Sequence, residues 1–206
     1  MALTTYAELQ SAIADFLNRD DLTSVIPTFI TLAEADMKRR IRHWRMEKRS
    51  TAVLDTQYSA LPTDFIEPIR LQVTDTAPSQ LELINMSEMI DRRNLQNDTA
   101  GRPLYYTIID GAIEVYPTPD SNYTLEMVYY SAFDALSASI ASNWILQRHP
   151  DVYLYGALAH SAPYLGEDAR TAIWAGLLQN ALAGIMEDDQ KAKYGGTGHR
   201  LKIRAY

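Results

Sequence analysis

Hydrophobic positions recur at helical spacing near the start of the chain, with polar residues between them. The apolar positions of this first stretch are Leu9, Ile13, Phe16 and Leu17. Their spacing predicts a helix from about Tyr6 to Leu17. Thr5 and Glu8 have the spacing of a capping box, in which each side chain accepts a hydrogen bond from a free backbone N–H at the helix start. The pattern therefore predicts the type of this element and the residue at which it begins.

A second amphipathic helix is predicted around Pro27, whose fixed φ suits a first helical turn. Its apolar positions are Phe29, Ile30, Ala33, Met37, Ile41 and Trp44. A basic cluster occupies its last turns and continues beyond them: Lys38, Arg39, Arg40, Arg42, Arg45, Lys48 and Arg49. Cations at this position complement the negative end of the helix dipole. Two interpretations stay open: a solvated helix face, or contact with an acidic partner or with phosphate.

The pattern changes between Ser50 and about Phe133, where helical periodicity is lost and prolines and β-branched residues appear. Short apolar runs predict strands over residues 51–54, 69–73, 81–84 and 123–130. A brief helix is predicted over residues 87–95. Asp110 and Gly111, between two β-rich runs, are typical of a two-residue hairpin turn. This region is predicted to be a small antiparallel sheet inserted between helical segments.

Helical patterning returns after this region. A short helical turn is predicted over residues 143–147, and Pro150 suits the first position of a longer helix. His149 is predicted to help cap that helix, and Gly166 is predicted to end it.

The last predicted helix opens at Glu167 and Asp168 and ends near Gly195. Its apolar positions are Ile173, Trp174, Leu177, Leu178, Ala181 and Ile185. It forms a hairpin with the preceding helix, and the apolar faces of these two helices are predicted to close the bundle against the first two helices. We expect four side chains of this region to be buried: Trp144, Leu158, Trp174 and Leu177.

Together these elements predict an α+β fold that is mainly α: a helical bundle with an inserted small antiparallel β lobe and an extended C-terminal tail. The predicted segments are residues 1–49 for the N-terminal helices, 50–135 for the β-rich lobe, 136–196 for the C-terminal helical hairpin that completes the bundle, and 197–206 for the tail. As an extended strand, the tail would place Leu201 and Ile203 on one face and Arg200, Lys202 and Arg204 on the other. That pattern suits addition to an edge strand of a partner.

Composition narrows the classes of function. The chain is 47% hydrophobic and 22% charged, which is ordinary for a globular protein. It has no cysteine, so disulfides and thiolate metal ligands are excluded. Its net charge of −7 argues against broad, non-specific nucleic-acid binding. No apolar run approaches the ~18–20 residues that a membrane helix needs, and the N-terminus lacks the regions of a secretory signal. We therefore expect no membrane partner.

The sequence also lacks the common catalytic motifs. It contains no HExxH helix, no GxSxG elbow and no Walker loop. No second histidine ligand stands three or four residues from any of its histidines, which are His43, His149, His160 and His199. The acidic residues 187–189 are interpreted as a solvated helix face, since a metal site would need further oxygen ligands. We expect no enzymatic activity, no metal and no cofactor.

The C-terminal helices carry aromatic, proline and small residues in a fixed order: Trp144, Pro150, Asp151, residues 153–158, residues 162–165, Trp174, Ala181 and Leu182. The corresponding N-terminal segments are residues 6–9, 26–30, 32–35 and 61–65. In order and spacing these segments resemble the head–tail adaptor, or connector, proteins of tailed phages. The resemblance covers nearly the whole chain, although no single motif in it is diagnostic.

The resemblance implies a structural virion protein that acts by assembly, without turnover. In that family about twelve copies form a ring beneath the portal of the capsid. The ring extends the DNA channel, through which packaged DNA passes, and gives the tail its attachment surface. The implied partners are the portal protein, tail or nozzle proteins and further copies of the chain. The implied location is the neck of the virion, and the host cytoplasm during assembly.

Two sets of site residues follow from this reading. The segment implied to dock into the portal comprises His199, Arg200, Leu201, Lys202, Ile203, Arg204 and Tyr206. Contact with protein at a subunit or portal interface is expected for Lys38, Arg39, Arg42, Arg45, Lys48 and Arg49. The alternative is a DNA-binding assembly or packaging factor that uses the basic segment 38–49 for phosphate contact. A small enzyme with an unrecognised site is a third hypothesis, and nothing in the sequence supports it.

Overall fold

The computed structural model describes residues 3–75, 77–95, 97, 99–166 and 170–195. Of the described residues, 45% are helical and 23% lie in strands. They form two compact units. The helical unit comprises the described residues of Met1–Arg45 and Phe133–Tyr206, and the β unit comprises those of Met46–Ala132.

The elements are numbered here in chain order. Within the described residues the α-helices are α1 Tyr6–Leu17, α2 Ile26–Arg40, α3 Met86–Leu95, α4 Trp144–Arg148, α5 Pro150–Leu165 and α6 Thr171–Tyr194. The strands are β1 Glu47–Leu54, β2 Tyr58–Ala60, β3 Phe65–Val73, β4 Ser79–Gln80, β5 Glu82–Leu83, β6 Tyr105–Ile109, β7 Ala112–Tyr116 and β8 Tyr123–Ser131. A 3₁₀ turn, Trp44–Met46, precedes β1. Helix α3 and all the strands belong to the β unit.

Helix α1 has the predicted bounds and the predicted capping box. The Glu8 N–H donates to Thr5 Oγ1 at 3.3 Å, and the Thr5 N–H donates to Glu8 Oε2 at 3.0 Å. Two backbone donors that the helix start would leave free are thereby satisfied. Leu9 and Ile13 are fully buried, as the periodicity predicts.

Helix α2 ends earlier than its apolar pattern predicts. Ile41 leaves the helix with φ −84° and ψ 126°, and Trp44 lies in the 3₁₀ turn. Arg42 Nη1 donates to the carbonyl oxygens of Lys38 at 3.0 Å and Ile41 at 2.8 Å. The guanidinium therefore satisfies carbonyl groups at the C-terminal end of α2, where the helix itself leaves them free. Hydrophobic periodicity carries no information on this local bond.

Helices α5 and α6 form the predicted hairpin, and α5 also packs on α2. A Cβ added at Gly156 would lie 3.1 Å from the Cβ of Ala33, so α2 and α5 approach closely at this point. Gly166 ends α5 with φ +83°, a conformation that favours glycine, as predicted. Glu167 and Asp168, the predicted start of the last helix, lie outside the described residues.

The buried stripe of α6 is only partly the one predicted. Its buried residues are Trp174, Leu178, Leu182 and Ile185. Leu158 on α5 is fully buried, and Trp144 is half-buried. The prediction that Leu177 is buried was wrong, because 37% of it is exposed. Successive helical residues point about 100° apart, so Leu177 cannot share the direction of Leu178.

Two four-stranded sheets make up the β unit. Their strand orders are β1-β8-β3-β4 and β2-β7-β6-β5. One core contains residues of both sheets, among them Leu71 and Leu125 from the first and Ile113 and Val115 from the second. Strand β5 pairs with β6 in parallel, so the second sheet is mixed.

This architecture corrects the predicted fold class. A mainly α bundle with a small antiparallel β lobe underestimates the β component, which consists of two four-stranded sheets. Strands β2, β4 and β5 have only three, two and two residues. Runs this short show no alternation, and their pairing partners define them. The predicted tail, residues 197–206, lies outside the described residues, and the division of the chain into the predicted domain segments stays a prediction.

The predicted hairpin turn is present between β6 and β7. Asp110 and Gly111 have φ of 48° and 71°, the positive values that a type I′ turn requires at both central positions. Ile109 pairs with Ala112 across the turn, so the loop contains these two residues alone. The turn residues therefore set the register of β6 against β7.

A buried carboxylate joins distant parts of the helical unit. Glu34 on α2 is 3% exposed, and its Oε1 accepts hydrogen bonds from the Leu136 N–H at 2.7 Å and the Tyr153 hydroxyl at 2.9 Å. Asn143 Nδ2 donates to the same hydroxyl at 2.6 Å, and Asn143 Oδ1 accepts from the Leu146 N–H at 3.0 Å to cap α4. Burial raises the pKa of Glu34, and burial together with Glu34 raises the pKa of Tyr153.

We expect Glu34→Ala and Glu34→Gln to have opposite consequences for stability at neutral pH. Alanine leaves the buried Leu136 N–H and Tyr153 hydroxyl without an acceptor, at a cost of ~1–3 kcal/mol each. Glutamine keeps an acceptor oxygen and removes the cost of burying a charge. Urea unfolding of the two variants and the natural chain measures the difference.

The stability of the natural chain relative to Glu34→Gln should also change with pH. A carboxyl whose folded pKa is raised contributes stability that is fully present below its unfolded pKa and is lost as pH rises through the folded value. The natural chain should therefore lose stability relative to Glu34→Gln as pH rises above the unfolded value of 4.5. A difference between these two proteins that is constant with pH would show that Glu34 does not titrate abnormally in the fold.

Neighbouring leucines of α6 give a matched test of its buried stripe. Leu178→Ala should cost ~2–5 kcal/mol and Trp174→Ala ~3–5 kcal/mol, because both side chains are buried. Leu177→Ala makes the same chemical change in the same helix, and it should cost less than Leu178→Ala because Leu177 lies outside the buried stripe. Thermal unfolding monitored by circular dichroism measures all three. Equal losses for the two leucines would mean that α6 is rotated from the orientation described here.

Candidate assembly surfaces

The predicted basic cluster is divided between the two units. Lys38, Arg39, Arg42 and Arg45 belong to the helical unit, whereas Lys48 and Arg49 lie on β1 of the β unit. The sequence shows these cations as one continuous run, and the fold distributes them over a helix end, a 3₁₀ turn and a strand.

On α2 the cluster has partners within the helical unit. Lys38 Nζ lies 5.4 Å from the centroid of the Phe133 ring, close enough for a cation–π interaction. Arg39 Nη2 lies 3.3 Å from Asp36 Oδ1, one turn earlier on the helix. Arg42 is the residue that caps the end of α2.

The turn after α2 is joined to α6 by one carboxylate and to α4 by stacked rings. The Trp44 N–H donates to Asp189 Oδ1 at 2.6 Å, and Arg45 lies over the Trp44 ring at 4.6 Å from its centroid. His43 is buried and stacks on Trp144 with ring centroids 4.8 Å apart. Its Nδ1 accepts a hydrogen bond from the Arg45 N–H at 3.2 Å, which requires that this nitrogen carry no proton. Burial lowers the pKa of His43, in agreement with that role.

His149 belongs to the same cluster and does not have its predicted role. It occupies the N-cap position of α5, but its side chain makes no capping hydrogen bond. Its ring meets Trp144 edge-on with centroids 6.4 Å apart, and its Nε2 lies 3.9 Å from Asp188 Oδ2. Sequence reasoning missed this cluster, because its residues come from three distant segments with no shared spacing.

Lys48 on β1 pairs with a carboxylate of the β unit. Its Nζ lies 2.6 Å from Asp64 Oδ2, and the Tyr129 hydroxyl donates to Asp64 Oδ1 at 2.9 Å. The bond from Lys48 is the largest cause of the lowered pKa of Asp64. Burial and the bond to Asp64 raise the pKa of Tyr129 to about 12.

Arg49 belongs to a second pairing, centred on Glu126 in the middle of β8. Glu126 is 6% exposed, and its Oε2 accepts from Arg49 Nε on β1 at 2.6 Å. On the other side, its Oε1 accepts from Arg70 Nη2 at 3.0 Å and from Gln72 Nε2 at 2.7 Å, both on β3. The carboxylate thereby joins three strands. In the sequence, the signal for this pairing is Glu126 itself, which is the single acidic residue in the predicted strand.

All six predicted interface cations therefore have partners within the chain. A phosphate group would have to compete with Asp36, Asp64 and Glu126 for three of them. That the cluster contacts another protein stays a prediction. The other predicted site, residues 199–206 of the tail, lies outside the described residues.

Surfaces without an assigned partner lie elsewhere on the chain. On α6 the large apolar side chains of Ile173 and Met186 are exposed, Ile173 to 62%. In the β unit, β1 is an edge strand whose pairing within the described residues is to β8, and Val53 on it is 64% exposed. Exposed apolar side chains and an open strand edge are features through which proteins contact one another.

Chemistry other than assembly finds little support in the described part of the chain. There, no group of three or more His, Cys, Asp or Glu side chains could hold a metal ion. A cleft of ≈ 380 Å³ in the β unit has Arg70 and Glu82 as its charged lining residues, with Tyr106 among the rest. Neither charged group stands beside a nucleophile in the manner of a catalytic pair. No described helix has both the length and the hydrophobicity for a membrane span.

Comparison with known protein families gives a match over most of the chain. A family model described as SU10 adaptor protein matches residues 4–201, a range that includes both units. A comparison with curated proteins gives no match. The predicted resemblance to head–tail adaptors is confirmed, and the chain belongs to the SU10 adaptor protein family, a family of phage head–tail adaptors.

Proposed function

We propose that this chain is a structural adaptor that forms a closed ring of about twelve copies beneath the portal. The ring extends the DNA channel and gives the tail or nozzle proteins their attachment surface. Family membership implies an adaptor in the neck of the virion that interacts with portal and tail proteins. The ring, its copy number and the channel are our extension of that role.

The geometric observation that carries the proposal is the exposed apolar surface of α6. Ile173 in the first turn of α6 is 62% exposed among the described residues, and Met186, further along the same helix, is 52% exposed. Burying apolar surface of such side chains stabilises a complex by ~25 cal/mol of free energy for each Å² removed from water. Contact with a neighbouring copy or with the portal would recover that free energy, which is the driving force of a structural assembly.

The charge of the chain is compatible with a channel. Each copy carries a net charge of −7, and a ring multiplies it. DNA must slide through such a ring without binding to it, so a channel wall that repels DNA or attracts it weakly suits this role. We infer that the basic cluster contacts protein, because its cations already serve contacts inside the chain.

DNA binding through residues 38–49 is the second candidate, and we expect it to fail a salt titration. Each phosphate contact contributes about 0.9 to the slope of log affinity against log salt. If the cations stay with their carboxylate and ring partners, duplex DNA should bind weakly at low salt, with a slope near zero. Fluorescence anisotropy of a labelled duplex measures this. A steep slope that Lys48→Gln and Arg49→Gln reduce would favour the DNA-binding function.

The portal role can be tested by co-sedimentation with the portal protein. We propose that residues 199–206 are the main docking element, since their alternating basic and apolar residues suit strand addition. The full chain should sediment with the portal, and a chain truncated after Gly196 should remain at the top of the gradient. Circular dichroism of the truncated chain checks that its helices survive. Normal co-sedimentation of a folded truncated chain would refute the docking role.

A further inference from the structure

A groove with a volume of ≈ 420 Å³ lies between α5 and α6 of the helical unit. Tyr155, Leu177 and Ala181 supply apolar surface to it, and Gly184 leaves it wide. A Cβ added at Gly184 would meet no other group within 4 Å, so the space above the glycine is open. This groove explains why Leu177 is partly exposed although it lies on the helical hairpin: it lines the groove and does not enter the core.

The rim of the groove is mainly acidic. Asp151 at the start of α5 and Glu187 and Asp188 on α6 line it. Lys191 is the single lysine or arginine among the lining residues, and its Nζ lies 3.5 Å from Glu187 Oε2. The net charge of the rim is therefore negative. A ligand that fits has apolar side chains for the floor and cations for the rim.

The C-terminal segment of this chain has that chemistry. Residues 199–206, HRLKIRAY, contain Arg200, Lys202 and Arg204 and no acidic side chain, and they contain Leu201 and Ile203. The other strongly basic segment of the chain, residues 38–49, is part of the described fold, and its cations already have partners there. Charge complementarity therefore favours this segment as the occupant over a general protein partner.

The length of the chain after α6 allows this contact within one molecule. Helix α6 ends at Tyr194, and Asn180 on the groove is 14 residues earlier. At about 1.5 Å per helical residue that separation is roughly 21 Å. Ten residues of extended chain reach about 33 Å, so residues 199–206 can turn back along α6 and cover the groove.

We propose that residues 199–206 bind in the groove between α5 and α6 of the same chain. Leu201 and Ile203 contact Leu177 and Ala181, and the basic side chains pair with Glu187, Asp188 and Asp151. The contact exists in the free protein and does not require the portal. Its regulatory meaning rests on the proposed function: the groove holds the docking segment until the portal competes for it, which limits premature assembly.

The absence of native cysteine makes a direct test possible. The full chain with Asn180→Cys and Ala205→Cys places one thiol on the groove and one in the segment, and every basic and apolar residue of the proposed contact is kept. Ala183→Cys with Ala205→Cys is the matched control, because Ala183 is also exposed and lies on α6 outside the groove. A disulfide requires Cα atoms within about 7 Å, so it reports where the segment lies.

We expect the groove pair to form an intramolecular disulfide at least about tenfold faster than the control pair, since binding raises the effective concentration of the two thiols. Mass spectrometry of the linked peptides and non-reducing electrophoresis measure the rate and the product. Equal rates for the two pairs would overturn the proposal. A disulfide-linked dimer would also overturn it, because the occupant would then be a second copy.

The charge of the rim has its own test. Glu187→Gln with Asp188→Asn in the groove pair should slow the disulfide towards the control rate, and 1 M salt should have the same effect through screening. A rate that neither change lowers would refute the charge complementarity. Added portal should also slow the disulfide if the portal binds the segment. A fast disulfide that portal leaves unchanged would keep the groove contact and contradict the docking role, so the two failures are distinguishable.

Discussion

The hydrogen bonds to the buried Glu34 carboxylate are the constraint on which the helical unit depends. Leu136 follows Glu34 by 102 residues and Tyr153 follows it by 119, so both bonds span the entire β unit in sequence. They hold the segment that re-enters the helical unit, and α5 through Tyr153, against α2. A charge buried this deeply is costly unless it is fully hydrogen-bonded, so the network specifies one arrangement of these segments.

The same use of charges inside the chain bears on function. Lys48 and Arg49 on β1 serve Asp64 and Glu126, and the cations near the end of α2 serve rings, carbonyl groups and an aspartate. The chain also leaves large apolar side chains exposed, among them Ile173 and Met186 on α6 and Val53 on the edge strand β1. This distribution fits a protein that contacts other proteins better than one that holds DNA.

The sequence predicted those features that depend on local chemistry. The capping box of α1, the Asp110 and Gly111 turn and the glycine end of α5 each rest on a few adjacent residues, and each is present. Features that depend on distant partners could not be read in this way. The two-residue strands β4 and β5, the Glu34 network and the stacking of His43 on Trp144 arise from tertiary contacts. The Arg42 bonds at the end of α2 are local, but hydrophobic periodicity does not reveal them. The exposure of Leu177 was missed because its spacing fits the apolar pattern of α6 nearly as well as that of Leu178.

Electron microscopy of the purified chain mixed with its own portal tests the central claim most directly. We expect an additional ring on the axis of the portal, with a rotational symmetry of about twelve and an open channel through its centre. Particles of the portal alone, or copies of the chain attached without a common axis, would contradict the claim that this adaptor forms a ring beneath the portal.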